Sequence, residues 1–164
     1  MNFVDHSDDP KRAARWPLYY FLLASLAVGA AASLFTEPNL AWYEALRRPS
    51  FAPPSWLLKA LWTAVYVLMA VAAWRAWKIT GLKSSAMTLY GLQLAFTFVW
   101  TALFFGPHRM DLALAALGLV VLLRLLATIL FWRKDRLAGL LFLPVLGWGV
   151  FEAVLVYAFD VLNA

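Results

Sequence analysis

The chain has 164 residues, 64% of them hydrophobic and only 14% charged, with a net charge of +5. An average soluble domain is about 45–50% apolar and about 25% charged, and one this small cannot hide so much apolar surface. The composition excludes a soluble enzyme and a nucleic-acid-binding tail, and the basic excess reads as Lys and Arg flanking membrane spans. There is no cysteine, hence no disulfide, thiolate metal site or cysteine nucleophile.

Residues 1–15 form a polar N-terminal tail. Five apolar stretches then follow, at about 16–34, 56–77, 87–105, 111–132 and 137–163. Each is near the roughly 20 residues needed to cross about 30 Å of hydrocarbon. Polar or turn-forming residues separate them: Thr36-Glu37-Pro38-Asn39, the Gly81 region, Gly106-Pro107-His108-Arg109, and Arg133-Lys134-Asp135-Arg136. Alternation of period two, the mark of a membrane barrel, is missing. The predicted fold is an all-α integral membrane protein, a five-transmembrane-helix bundle. Lys11, Arg12 and Arg15 before a run ending in Ala30-Ala31-Ala32 also have the layout of a signal peptide. Cleavage there would strip the bundle of a wall, so the run is read as the first span.

Lys and Arg distribute unevenly. Nine flank the side that carries the N-terminus: Lys11, Arg12, Arg15, Arg75, Lys78, Lys83, Arg133, Lys134 and Arg136. Four flank the other: Arg47, Arg48, Lys59 and Arg109. The positive-inside rule predicts a cytoplasmic N-terminus in a bacterial inner (plasma) membrane; an outer-membrane location is the alternative.

The loop 35–55 is the longest connection, and long loops are usually functional. Trp42 to Leu46 suits a short amphipathic helix on the membrane, and Pro49, Pro53 and Pro54 stiffen the return. In the spans, Trp62 and Tyr66 share a face, as do Gln93, Phe96, Trp100 and Phe104, and Trp148, Glu152, Leu155 and Phe159. Such stripes serve core or lipid packing in a generic membrane helix. A planar apolar ligand also wants such flat aromatic walls.

These residues carry a resemblance. Trp42-Tyr43, Leu46, Arg48-Pro49, Pro53-Pro54, Trp62, Tyr66, Gln93, Trp100, Phe104-Phe105-Gly106, Arg109-Met110, Ala138-Gly139, Leu141, Pro144 and Trp148 occur in the order of the TspO/translocator protein family of tryptophan-rich membrane proteins. The resemblance covers about residues 18–163. It implies a five-helix bundle, a homodimer through the third span, and a pocket between the helices lidded by the first loop. It implies a porphyrin ligand, protoporphyrin IX or haem, with no obligatory cofactor, and a role in tetrapyrrole sensing, transport, stress response or light-dependent porphyrin breakdown. With the resemblance, Trp62, Tyr66, Gln93, Thr97, Trp100, Phe104, Trp148 and Glu152 are candidate ligand contacts, and Trp42 and Tyr43 candidate lid residues. Trp62 and Trp148 would be the redox-active aromatics of a photo-oxidative activity.

The chain departs from the family pattern at four places. Thr97 and Val156 stand where Asn is usual, Val145 where Tyr is usual, and Glu152 where a small residue is usual. Thr97, Val145 and Val156 make the pocket less polar, which leaves a third reading: a regulatory membrane partner with no small ligand. Tyr157 has no basic residue after it, so the cholesterol pattern of the mitochondrial members is absent.

Three polar residues stand inside the spans. Gln93 serves as helix glue or as a ligand contact. An intramembrane acid such as Glu152 is a functional-site candidate. Arg124 lies about eight residues from the basic end of its helix and Glu152 about 15 from the basic end of the next, so their depths differ by about 10 Å. A direct pair between them is marginal on that count. His6 and His108 lie outside the spans, and no metal-ligand cluster is present, so no metal site and no buried axial haem ligand is expected.

Overall fold

The computed structural model describes residues 16–164. The tail 1–15, with Lys11, Arg12, Arg15 and His6, lies outside the described residues. The helices are α1 (Trp16–Thr36), α2 (Leu40–Ala45), α3 (Ser55–Thr80), α4 (Ser85–Phe105), α5 (Met110–Lys134) and α6 (Arg136–Asn163). A single 3-10 turn, Glu37–Asn39, links α1 to α2. No strand occurs among the described residues. Five of the helices are long and apolar enough to cross a membrane, and the chain is an integral, multi-pass membrane protein.

Local chemistry sets the ends. The Ser84 side chain accepts from Met87 N–H at the start of α4. Asp135 alone joins α5 to α6. Its carboxylate accepts from the Leu137 and Ala138 N–H groups and pairs with Arg75 at 2.8 Å. Pro54, with its extended backbone, precedes α3 and excludes a continuous helix from the loop. Pro144 sits inside α6, where it withholds one N–H from the Leu140 carbonyl.

The long helices form a closed ring in the order α1, α3, α6, α5, α4. Outward faces carry Leu23, Leu122, Leu140 and Val154, all exposed, as a lipid-facing surface requires. The interior has two halves. Toward the N-terminal end, Ala70, Ala72, Ala73 and Ala76 of α3 are fully buried against Phe21, Tyr90, Phe131 and Phe142. Small side chains let the backbones close up here, as they do at membrane helix contacts generally. Toward the loop side, Tyr43, Trp100, Phe104, Leu155, Val156 and Phe159 make a second cluster. These bulky groups hold the helices apart, and a cavity opens among them.

Candidate functional site: a lidded aromatic cavity above a buried ion pair

The cavity has a volume of about 350 Å³ and lies between α1, α3, α4 and α6 under the first loop. That is within the range of small-molecule pockets, about 300–1,000 Å³. Each wall follows from helical spacing. On α3, Ser55, Lys59, Trp62 and Tyr66 recur at three or four residues along one face. On α4, Trp100, Thr101 and Phe104 face inward; on α6, Glu152, Leu155, Val156 and Phe159 do. On α1, Gly29 brings the backbone against Tyr66: a Cβ there would stand 2.7 Å from the ring. The Trp62 and Trp100 rings lie 6.1 Å apart and only 23° from parallel. Trp62 also stacks on Tyr66 at 5.3 Å.

The first loop closes the outer end. Tyr43 of α2 is buried and lines the cavity, with Arg48 over its ring at 5.3 Å. Trp42 turns the other way and stacks on His108, centroids 3.9 Å apart and planes within 14°. His108 takes a left-handed backbone conformation (φ 57°), and its Nε2 lies 3.1 Å from Asn39 Oδ1. His108 is therefore a clasp between the α4–α5 turn and the lid. At the loop's far end, Arg47 N–H donates to Asn163 Oδ1, and Asn163 Nδ2 donates back to the Arg47 carbonyl. An exposed Lys59–Glu37 pair at 2.8 Å marks the mouth.

Beneath the cavity, Arg124 of α5 is fully buried in the bundle. Its Nε donates to Gln93 Oε1 at 3.3 Å and its Nη2 to Thr97 Oγ1 at 3.2 Å. Its Nη1 donates to the Val145 carbonyl at 3.4 Å and lies 3.6 Å from Glu152 Oε2. Thr97 donates to the Gln93 carbonyl, and Gln93 Nε2 to Met69 Sδ. Gly149 makes room for the guanidinium: a Cβ there would stand 2.8 Å from Arg124 Nη1.

The Arg124–Glu152 contact corrects the depth count, which made a direct pair marginal. Helical side chains lean toward the N-terminus of their own helix. In the antiparallel α5 and α6, Arg124 leans toward the loop side and Glu152 toward the basic side. Two long side chains lean toward each other and span the axial gap. Three of the four departures from the family pattern, Thr97, Val145 and Glu152, meet at this one arginine; the fourth, Val156, lines the cavity.

The ten candidate residues thus separate. Tyr43, Trp62, Tyr66, Trp100, Phe104 and Glu152 line the cavity. Gln93 and Thr97 lie below it in the arginine network, both fully buried. Trp148 stands behind Trp62, edge-on at 6.1 Å, and packs on Phe151. Trp42 holds the lid from outside the wall. Sequence reasoning did not single out Thr101, Ser55, the Lys59–Glu37 pair, His108 as a clasp, or Asn163 as a tether. Thr101 lies four residues past Thr97 and was findable from that helical face; the Asn163 contact joins residues 116 apart and leaves no local signal. Among the described residues, no cluster of His, Cys, Asp or Glu could hold a metal ion.

Comparison with known proteins agrees with this architecture. The profile of the TspO/MBR family matches residues 21–162. The chain is 38% identical over 134 residues to the tryptophan-rich sensory protein of Cereibacter sphaeroides, covering 81% of this chain and 83% of that protein. It is 36% identical over 148 residues to the tryptophan-rich protein TspO of Archaeoglobus fulgidus, covering 87% and 94%. It is 33% identical over 146 residues to the human translocator protein, covering 86% of each. A match that spans the whole bundle, at this identity and on these five membrane helices, places the chain in the TspO/MBR family.

Proposed function

We propose that this protein is a membrane tetrapyrrole-binding sensor or carrier, taking protoporphyrin IX or haem in the lidded cavity. The observation that carries the reading is the near-parallel Trp62–Trp100 pair on the wall of a lidded cavity in the bundle. Flat aromatic walls favour a flat aromatic guest through area and ring geometry. The names of the relatives, sensory protein and translocator protein, support a binding role over an enzymatic one.

The test is a titration of the purified full chain in nanodiscs with protoporphyrin IX, in the dark, read by tryptophan quenching. Saturable quenching is expected, and Trp62→Ala should weaken it by about 1–3 kcal/mol. Unsaturable quenching, or an unchanged affinity in a folded Trp62→Ala variant, contradicts the reading. The same titration under illumination separates binding from photo-oxidative breakdown: new absorbance bands that form only in light, and fail to form in Trp62→Phe, would indicate the enzyme.

The same reading sets the protein in a bacterial inner membrane, N-terminus cytoplasmic, lid and C-terminus on the opposite face. The nine-to-four count of basic residues supports this orientation. A homodimer through the outer face of α4 is supported by exposed Gly91, Leu92, Ala95 and Val99, a small and smooth strip. Reporter fusions at the two ends test the first; Gly91→Trp, read by crosslinking, tests the second.

A further inference from the structure

The cavity is not electrically uniform. Glu152 is the one carboxyl on its inner wall and is 96% buried, with Oε2 enclosed on the Arg124 side. Arg124 sits behind it at 3.6 Å and is fully enclosed by α4, α5 and α6, outside the cavity wall. The pair is therefore a dipole with one face showing. A guest meets the acceptor first, and the balancing cation is out of its reach. Arg124 divides its donors among Gln93, Thr97 and the Val145 carbonyl and reaches Glu152 only at the longer 3.6 Å, with the Trp148 indole as the carboxyl's other neighbour. Charges facing it from other helices are few: Tyr66 of α3 contributes a neutral phenol, and Lys59 belongs to the mouth, paired with Glu37.

We propose that Glu152 makes the deep end of the cavity a recognition site for a nitrogen donor, cationic or N–H, carried on a flat aromatic body. The simplest such ligand is an arylalkyl ammonium. The body lies along the Trp62–Trp100 wall, and the nitrogen donates to the Glu152 carboxylate where it lines the cavity. The same carboxylate repels a second one at that depth, so an acidic flat ligand enters with its acid groups at the mouth, beside Lys59. The inference rests on the cavity as the ligand site, and not on that ligand being a tetrapyrrole.

Three matched probes test it: anthracenylmethylammonium, anthraceneacetate and neutral methylanthracene. The full chain is held in phosphatidylcholine nanodiscs near neutral pH, and binding is read by energy transfer from tryptophan to anthracene, with empty nanodiscs subtracted. The ammonium should bind about tenfold or more tighter than the acetate, the scale of one charge-assisted hydrogen bond. Glu152→Gln should shrink that ratio to about threefold or less, with the ammonium losing more affinity than methylanthracene. Should Glu152→Gln alone not fold, the paired Arg124→Gln and Glu152→Gln variant removes both charges and carries the same expectation. Equal affinities in the wild type, or a ratio that survives either variant, overturn the proposal. Protoporphyrin IX binding without the ammonium preference sinks this inference and leaves the tetrapyrrole reading standing; the preference without porphyrin binding does the reverse.

Discussion

The two halves of the bundle differ in the size of what they bury. In the N-terminal half, α3 presents Ala70, Ala72, Ala73 and Ala76, all without exposed surface, and the helices close on them. In the loop-side half the same helix presents Trp62 and Tyr66. Facing Trp100, Phe104 and Phe159, these rings meet each other before the backbones can approach, and space remains among them. One helix thus makes a tight seam at one end and a wall at the other. Arg124 lies between the halves and joins α4, α5 and α6 at the level where packing gives way to cavity.

The largest effect should come from breaking that junction. Arg124→Leu strands Glu152, Gln93 and Thr97 in a buried site and should cost about 3–5 kcal/mol, as removal of one partner from a buried pair does. Replacing Glu152 by Leu at the same time should restore most of the loss. Unfolding of the three proteins in graded SDS would measure it, and a single variant as stable as the wild type would remove Arg124 from this role.

Overpacking separates the halves next. Ala73→Leu forces new volume into the closed seam and should destabilise by about 1–3 kcal/mol. Smaller again is the lid. His108→Ala removes the stack on Trp42, and Asn163→Ala removes two hydrogen bonds to Arg47. Each should leave the bundle intact, lower its stability by about 0.5–1.5 kcal/mol or less, and speed ligand release. Stopped-flow dissociation of a bound porphyrin would show this, and unchanged rates in both variants would detach the loop from gating.

The sequence made the bundle legible because membrane helices announce themselves: long apolar runs, turn residues between them, and one-sided stripes of aromatics. Spacing puts Trp62 with Tyr66, and Trp100 with Phe104, on common faces; the family resemblance turns those faces inward, and all four line the cavity. Trp148 shares the α6 stripe yet falls behind Trp62, since a stripe fixes a face and not which neighbour fills the space in front of it. Gln93 and Thr97 share a face with Trp100, but at the depth where Arg124 takes up their polar groups. The Arg124–Glu152 contact escaped an axial count because side-chain lean, in opposite senses on antiparallel helices, lies outside such a count. The Trp42–His108 clasp joins two loops and has no periodic trace at all.

The tetrapyrrole reading requires a flat ligand in the loop-side cavity and nowhere else in the bundle. Ala32 of α1 is buried and lines that cavity, on the side away from the packed alanines of α3. Ala32→Phe would fill the space with a ring while leaving the Arg124 network and the seam untouched. The decisive measurement is the affinity of this variant for protoporphyrin IX in nanodiscs, beside its unfolding in SDS. Stability near that of the wild type is expected, with affinity lowered about tenfold or more. Wild-type affinity in the folded Ala32→Phe protein would contradict it and move the ligand elsewhere.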